Sequence, residues 1–160
     1  MVALGLVVTA CGTAQAQDLT KPSVSAKMIC GAEAQKDLAA DLNIKPIRVT
    51  SPTWKDHVYS CSYMYKSGVV RLSVKELSNA TATRSYFDGL ATRLGKRSDP
   101  LSLGQGSFFT ADGSVIVRKD FKVLEVDVSA LPVKFTRANL SRSDTAVNFA
   151  VTIMGCWTGK

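Results

Sequence analysis

The chain has 160 residues, of which 46% are hydrophobic and 21% charged, an ordinary balance for a folded domain and too apolar for a disordered one. Its formal net charge is +7, from 20 Lys and Arg against 13 Asp and Glu, with a single histidine. The basic residues are scattered and only Lys96-Arg97 and Arg118-Lys119 are adjacent, so no basic stripe or motif of a nucleic-acid reader is present.

The first element is Val2 to Ala10, uncharged and mostly apolar, ending in Val8-Thr9-Ala10-Cys11. A membrane-crossing helix needs about 20 apolar residues, so this run fits the core of a signal peptide instead. Small residues placed before a cysteine after such a run resemble the lipobox of bacterial lipoproteins. That resemblance implies cleavage after residue 10, lipid acylation of Cys11 and retention at the extracytoplasmic face of a membrane. No Lys or Arg precedes the run, which predicts a true start further upstream. Residues 11–26 then read as the lipidated cysteine and a flexible tether, rich in Thr, Ala, Gln and Ser and carrying Pro22. About 130 residues remain, from 27 to 160, enough for one domain with one core.

Residues 30–42 are strong helix formers, with Ala34, Leu38 and Leu42 on one stripe, stopped by Asn43 and Pro46. Ile47 to Thr50 is a short strand candidate. Trp54 to Tyr65 reads as one strand, with Tyr59, Cys61, Tyr63 and Tyr65 on one face and Val58, Ser60, Ser62 and Met64 on the other. After the Lys66-Ser67-Gly68 turn, Val70, Leu72 and Val74 alternate with Arg71, Ser73 and Lys75, which completes an antiparallel hairpin. Asn79 to Leu94 predicts a second helix with Gly95 as its cap. Gly106 to Thr110, Ser114 to Arg118 and Phe121 to Val128 predict three more strands, with Leu131 to Leu140 irregular. Ser143 and Asp144 offer an N-cap to a last helix through Cys156. Clustered hairpins with interspersed helices predict a single α+β domain: an antiparallel sheet of five to six strands packed with three helices, more than one face needs, so that helices on both faces are compatible with the count.

Three cysteines remain once Cys11 is assigned to lipid. Outside the cytoplasm a disulfide is expected, and Cys30–Cys61 is the first choice because it ties the first helix to a central strand. Cys30–Cys156, joining the two ends of the domain, is the competitor. No CxxC occurs and His57 is the only histidine, so no metal or cofactor is expected.

Few residues carry chemistry. His57 beside Asp56 is the only general-base candidate, yet a lone histidine at a strand start is more often a surface residue. Leu103-Gly104-Gln105-Gly106 is half a phosphate loop and is better explained as a strand-entry turn. Glu125 and Asp127 share a strand face, most simply the wet side of a hairpin. Trp54, Tyr59, Tyr63 and Tyr65 form the only aromatic concentration and are the candidate ligand or partner patch, with the inner face of the sheet as the simpler account.

Cys30-Gly31 leading a helix, Tyr59-Ser60-Cys61-Ser62-Tyr63, and Leu103-Gly104-Gln105-Gly106-Ser107-Phe108 entering a hairpin from Val115 to Asp127 form a wider pattern. It resembles the small actinobacterial lipoproteins of unknown function related to the DUF3558 group, over most of residues 28–158. The resemblance implies a lipid-anchored envelope protein with an α+β domain, paired cysteines at Cys30 and Cys61, and no catalytic residues; Cys156 departs from the pattern. Together these readings predict a non-catalytic accessory protein that binds a partner or ligand at the cell envelope. Membrane contact would run through the lipid anchor, helped by anionic lipid or wall polymer, and any protein partner is unidentified. The rivals are an envelope hydrolase built around His57 and a carrier of small apolar ligands.

Overall fold

The computed structural model describes residues 18–97, 102–136 and 138–157. In chain order these form α1 (Val24–Met28), α2 (Ala32–Asp41), β1 (Arg48–Val49), β2 (Thr53–Lys55), β3 (Val58–Tyr65), β4 (Gly68–Glu76) and α3 (Ala80–Leu94). β5 (Gly106–Phe109), β6 (Val115–Lys119), β7 (Lys122–Asp127), β8 (Lys134–Phe135), β9 (Leu140–Ser141) and α4 (Arg142–Cys156) follow. The class is α+β. Every pairing is antiparallel, and the main sheet runs β1-β3-β4-β7-β6-β5, with β2 also on β3 and β8–β9 forming a separate ribbon.

Alternation along β3 decides the layering. Tyr59, Cys61, Tyr63 and Tyr65 are buried while the intervening residues are half-exposed. The buried face, with Leu72, Val74, Leu124 and Val126, packs against α1, α2 and α4 through Ala26, Leu38, Phe149 and Ile153. On the other face α3 lays Phe87 and Leu90 over Phe108, Ile116 and Val123 of β5, β6 and β7. Helices therefore cover one face fully and the other only at its β5–β7 end.

Local signals explain most boundaries. Asn79 caps α3 by accepting from the Ala82 N–H, and Gly95 closes it in the left-handed region at φ 71, donating to the Ala91 carbonyl. At Gly68 a Cβ would run into the carbonyl oxygen of Ala130, so only glycine lets β4 pass that segment.

Four boundaries differ from the sequence reading. The helix expected over 30–42 is α2 and starts two residues late, at Ala32, because Cys30 is committed to a disulfide and extended Gly31 (ψ 160) is the N-cap. The tether expected to run to residue 26 ends earlier. Ser23 caps α1 and its N–H donates to Glu76 Oε2 at 3.0 Å, Ala26 is fully buried, and Trp157 Nε1 donates to the Ser25 carbonyl at 2.8 Å. The strand expected over 54–65 is a hairpin, folded back at Asp56 and His57 with φ of 51° and 59°, the both-positive geometry of a tight two-residue turn. The last helix is capped two residues earlier than expected. Ser141 is the N-cap, and Asp144 closes a reciprocal capping box as its third residue.

Candidate functional site

The candidate aromatic patch is core. Tyr63 is fully buried and Tyr59 and Tyr65 nearly so; Tyr63 donates to the Ile29 carbonyl at 2.7 Å, while the Tyr65 hydroxyl is buried without a partner. Burial pushes the phenols of Tyr63 and Tyr65 well above their ordinary range. Their rings meet Phe149 and Phe135 edge-on, filling the space between sheet and helices. Trp54, half-buried, packs on the same core and meets the His57 ring at 6.0 Å. These four side chains therefore line no accessible surface together, because alternation along the strand turns them inward.

His57 is exposed at the β2–β3 turn, its Nδ1 lying 3.0 Å from the Leu19 carbonyl. It pins the entering chain to the sheet. Cys30 and Cys61 are bonded to each other, with Cα atoms 6.1 Å apart, and Cys156 is a free, half-buried thiol, so the pairing with Cys156 does not form. Burial pushes that thiol up, away from the thiolate that reactivity needs. Cys11 lies outside the described residues.

The surface that is built and left open lies elsewhere, on the outer face of β2, β3, β4 and β7. The register sets Thr53, Ser60, Ser73 and Glu125 side by side in one cross-strand row, and Ser62, Arg71 and Asp127 in the next. The Thr50–Ser51 connection walls one side, leaving a hollow of about 340 Å³. Two smaller hollows adjoin it, of about 260 and 140 Å³, and Glu125 lines all three.

The hydrogen bonding here is uneven. Asp127 accepts from Arg71 at 3.3 Å and from the Ser129 N–H and hydroxyl at 2.9 and 2.6 Å. Thr53 and Ser60 share a hydrogen bond at 3.0 Å, and Thr50 accepts from the Ser62 N–H at 2.9 Å. Glu125 receives only the Ser73 hydroxyl, at 3.5 Å, among the bonds resolved for it. Burial chiefly, and the Asp127 charge next, raise its carboxyl above the ordinary 4.5, against the pull of Arg93 and the Ser73 hydroxyl.

That shift has a sign. A carboxyl whose folded pKa is raised gives stability that is full below 4.5 and lost as pH climbs through the raised value. Glu125→Gln removes the loss. Urea unfolding should find the variant gaining on the parent as pH rises above 4.5. A variant that falls behind at the higher pH would mean that attraction, not burial, governs Glu125.

In the sequence Glu125 and Asp127 share a strand face that reads as an ordinary wet one. The missing signal is the β4–β7 pairing, which joins strands separated by α3, β5 and β6. Among the described residues no helix is long and apolar enough to cross a membrane. In comparison with known proteins, the chain matches no family model, no curated protein and no solved structure.

Proposed function

We propose that this chain is a lipid-anchored accessory protein of the cell envelope, binding a ligand or partner without catalysis through the open outer face of its sheet. The observation that carries the compartment is the Cys30–Cys61 disulfide, since such bonds persist outside the reducing cytoplasm. The Val2–Ala10 run, the lipobox-like residues before Cys11 and the resemblance to the DUF3558-related lipoproteins support the anchor. Seven peptide links separate Cys11 from Asp18, a reach of at most about 25 Å. Because Leu19 is held at His57, the β2–β3 turn would then face the membrane. The net charge of +7 favours an anionic surface of lipid or wall polymer beneath it. For the binding role, the support is the contrast between a fully covered inner face and a polar outer face left open beside α3.

The hydrolase reading has one observation in its favour, moved from His57 to Glu125. A carboxyl raised by burial beside a second, paired carboxylate is the arrangement acid catalysts use. Against it, Asp127 is occupied by Arg71 and Ser129.

The anchor is tested by Cys11→Ser in cells, with the gene extended upstream. The variant should leave the membrane fraction for the medium or persist as uncleaved precursor, and should lose incorporation of a labelled fatty acid. Processing and fractionation like the parent would overturn the anchor.

A further inference from the structure

We propose that the hollow over β3, β4 and β7 is a saccharide site, taking a neutral polyhydroxylated ring whose hydroxyls bridge Glu125 and Arg71. The inference rests on the reading of this face as the binding surface and adds the chemistry of its ligand.

Charge narrows the occupant first. Arg71 stands in the hollow, Lys75 lines the adjoining one, and Arg93 acts on Glu125, so a cationic ligand meets like charge from three sides. An anion meets Glu125 and Asp127. A neutral ligand avoids both, and brings no ionic group that would have to shed water on entering.

Hydrogen-bond supply narrows it further. Asp127 is already met by three donors, whereas Glu125, half-buried on the floor, is met by one long bond from Ser73. A ligand rich in O–H donors supplies what Glu125 lacks. Two neighbouring ring hydroxyls can reach both oxygens of one carboxylate, and their own oxygens can accept from the half-exposed Arg71 fork. Ser60, Ser62 and Ser73 stand about 4.8 Å apart across the strands and roughly 6.8 Å along them, giving a grid of groups that donate and accept alike. A polyol matches such a grid; an apolar or a single-charge ligand does not.

Size fits as well. A volume of about 340 Å³ lies at the lower end of small-molecule sites, room for one ring rather than a chain. The next hollow shares Ser73 and Glu125 and carries the half-buried ring of Tyr86, an apolar flank for a second unit.

The test is an amide chemical-shift titration of the full chain with maltotriose, triacetylchitotriose and mannotriose, and with trilysine as the charged probe. At least one trisaccharide should move the Ser62, Arg71, Ser73 and Glu125 amides together. Glu125→Gln, which keeps the shape, should weaken that binding about tenfold or more, the usual loss for a hydrogen bond to a charged group, with a thermal midpoint no lower than the parent's as the control for folding. Shifts from trilysine alone would overturn the saccharide assignment while leaving the face a binding surface. No shift there from any probe would overturn the saccharide site. Cross-linking to an envelope partner through Ser62→Cys would then keep the binding face, and its failure would remove that as well. Release of new reducing ends would keep the site and overturn the non-catalytic role.

Discussion

Removal of the Cys30–Cys61 link, by Cys30→Ala together with Cys61→Ala, is expected to cost about 3–4 kcal/mol, the chain-entropy value for a loop of this length. The loop spans 31 positions and joins the α1–α2 junction to the middle of β3. The native side of the balance points the same way. Cys61 is buried, and the neighbouring Tyr63 hydroxyl bonds to the Ile29 carbonyl one residue before Cys30, so the link and that bond hold the same turn on the sheet. For a domain of this size the loss corresponds to a fall in Tm of roughly 10 °C or more. Calorimetry of the oxidised parent and the double variant measures it directly. Cys156→Ser should leave the midpoint close to that of the parent, because the thiol is unbonded. A double variant within about 1 kcal/mol of the parent would show that residues 30–61 stay close together even when the chain unfolds.

Local signals carried the elements they belong to. Asn79 and Gly95 bracket α3 as the sequence reads them, and alternation from Tyr59 to Tyr65 places each side chain on the correct face. What failed was governed by longer-range commitments. Cys30 and Gly31 belong by composition to the helix-forming stretch 30–42; the disulfide at Cys30 and the hydrogen bond from Tyr63 to Ile29 hold them outside α2. Asp56-His57 lacks the Asn-Gly signature of a tight turn, yet it takes positive φ at both positions because β2 and β3 pair across it. Residues 18–26 look like tether by composition. They fold because Glu76, His57 and Trp157, distant in sequence, supply their partners.

The same reasoning separates the two candidate surfaces. Aromatic residues on one strand face are read from spacing alone, and the apolar character that makes them conspicuous also sends them into the core. The open hollow is assembled from small polar residues of separate strands, none unusual by itself. Ser73 meets Glu125 only through the β4–β7 pairing, and Thr53 joins the row only because β2 folds back on β3. Periodicity gave the faces of these strands but not which strands lie side by side.

Phe149→Ala is expected to cost about 3–5 kcal/mol, the range for truncating a buried aromatic residue. Phe149 is wholly buried on α4, and its ring meets that of Tyr63 at 5.6 Å and 86°. Whether the cavity closes decides where in that range the loss falls. Collapse requires Tyr63 to swing into the space, but its hydroxyl is held by Ile29 and the disulfide fixes the strand beside it. Collapse from the other side requires α4 to slide, and its first turn is fastened by the Ser141–Asp144 capping box. The cavity should therefore stay open and the loss fall in the upper half of the range. Phe149→Leu, which keeps most of the volume, should cost far less, about 1.5 kcal/mol or under. A double-mutant cycle between Tyr63→Leu and Phe149→Leu should return a coupling of roughly 0.5–1.5 kcal/mol from the edge-to-face contact. A loss below about 2 kcal/mol for Phe149→Ala would mean that α4 moves freely over the sheet.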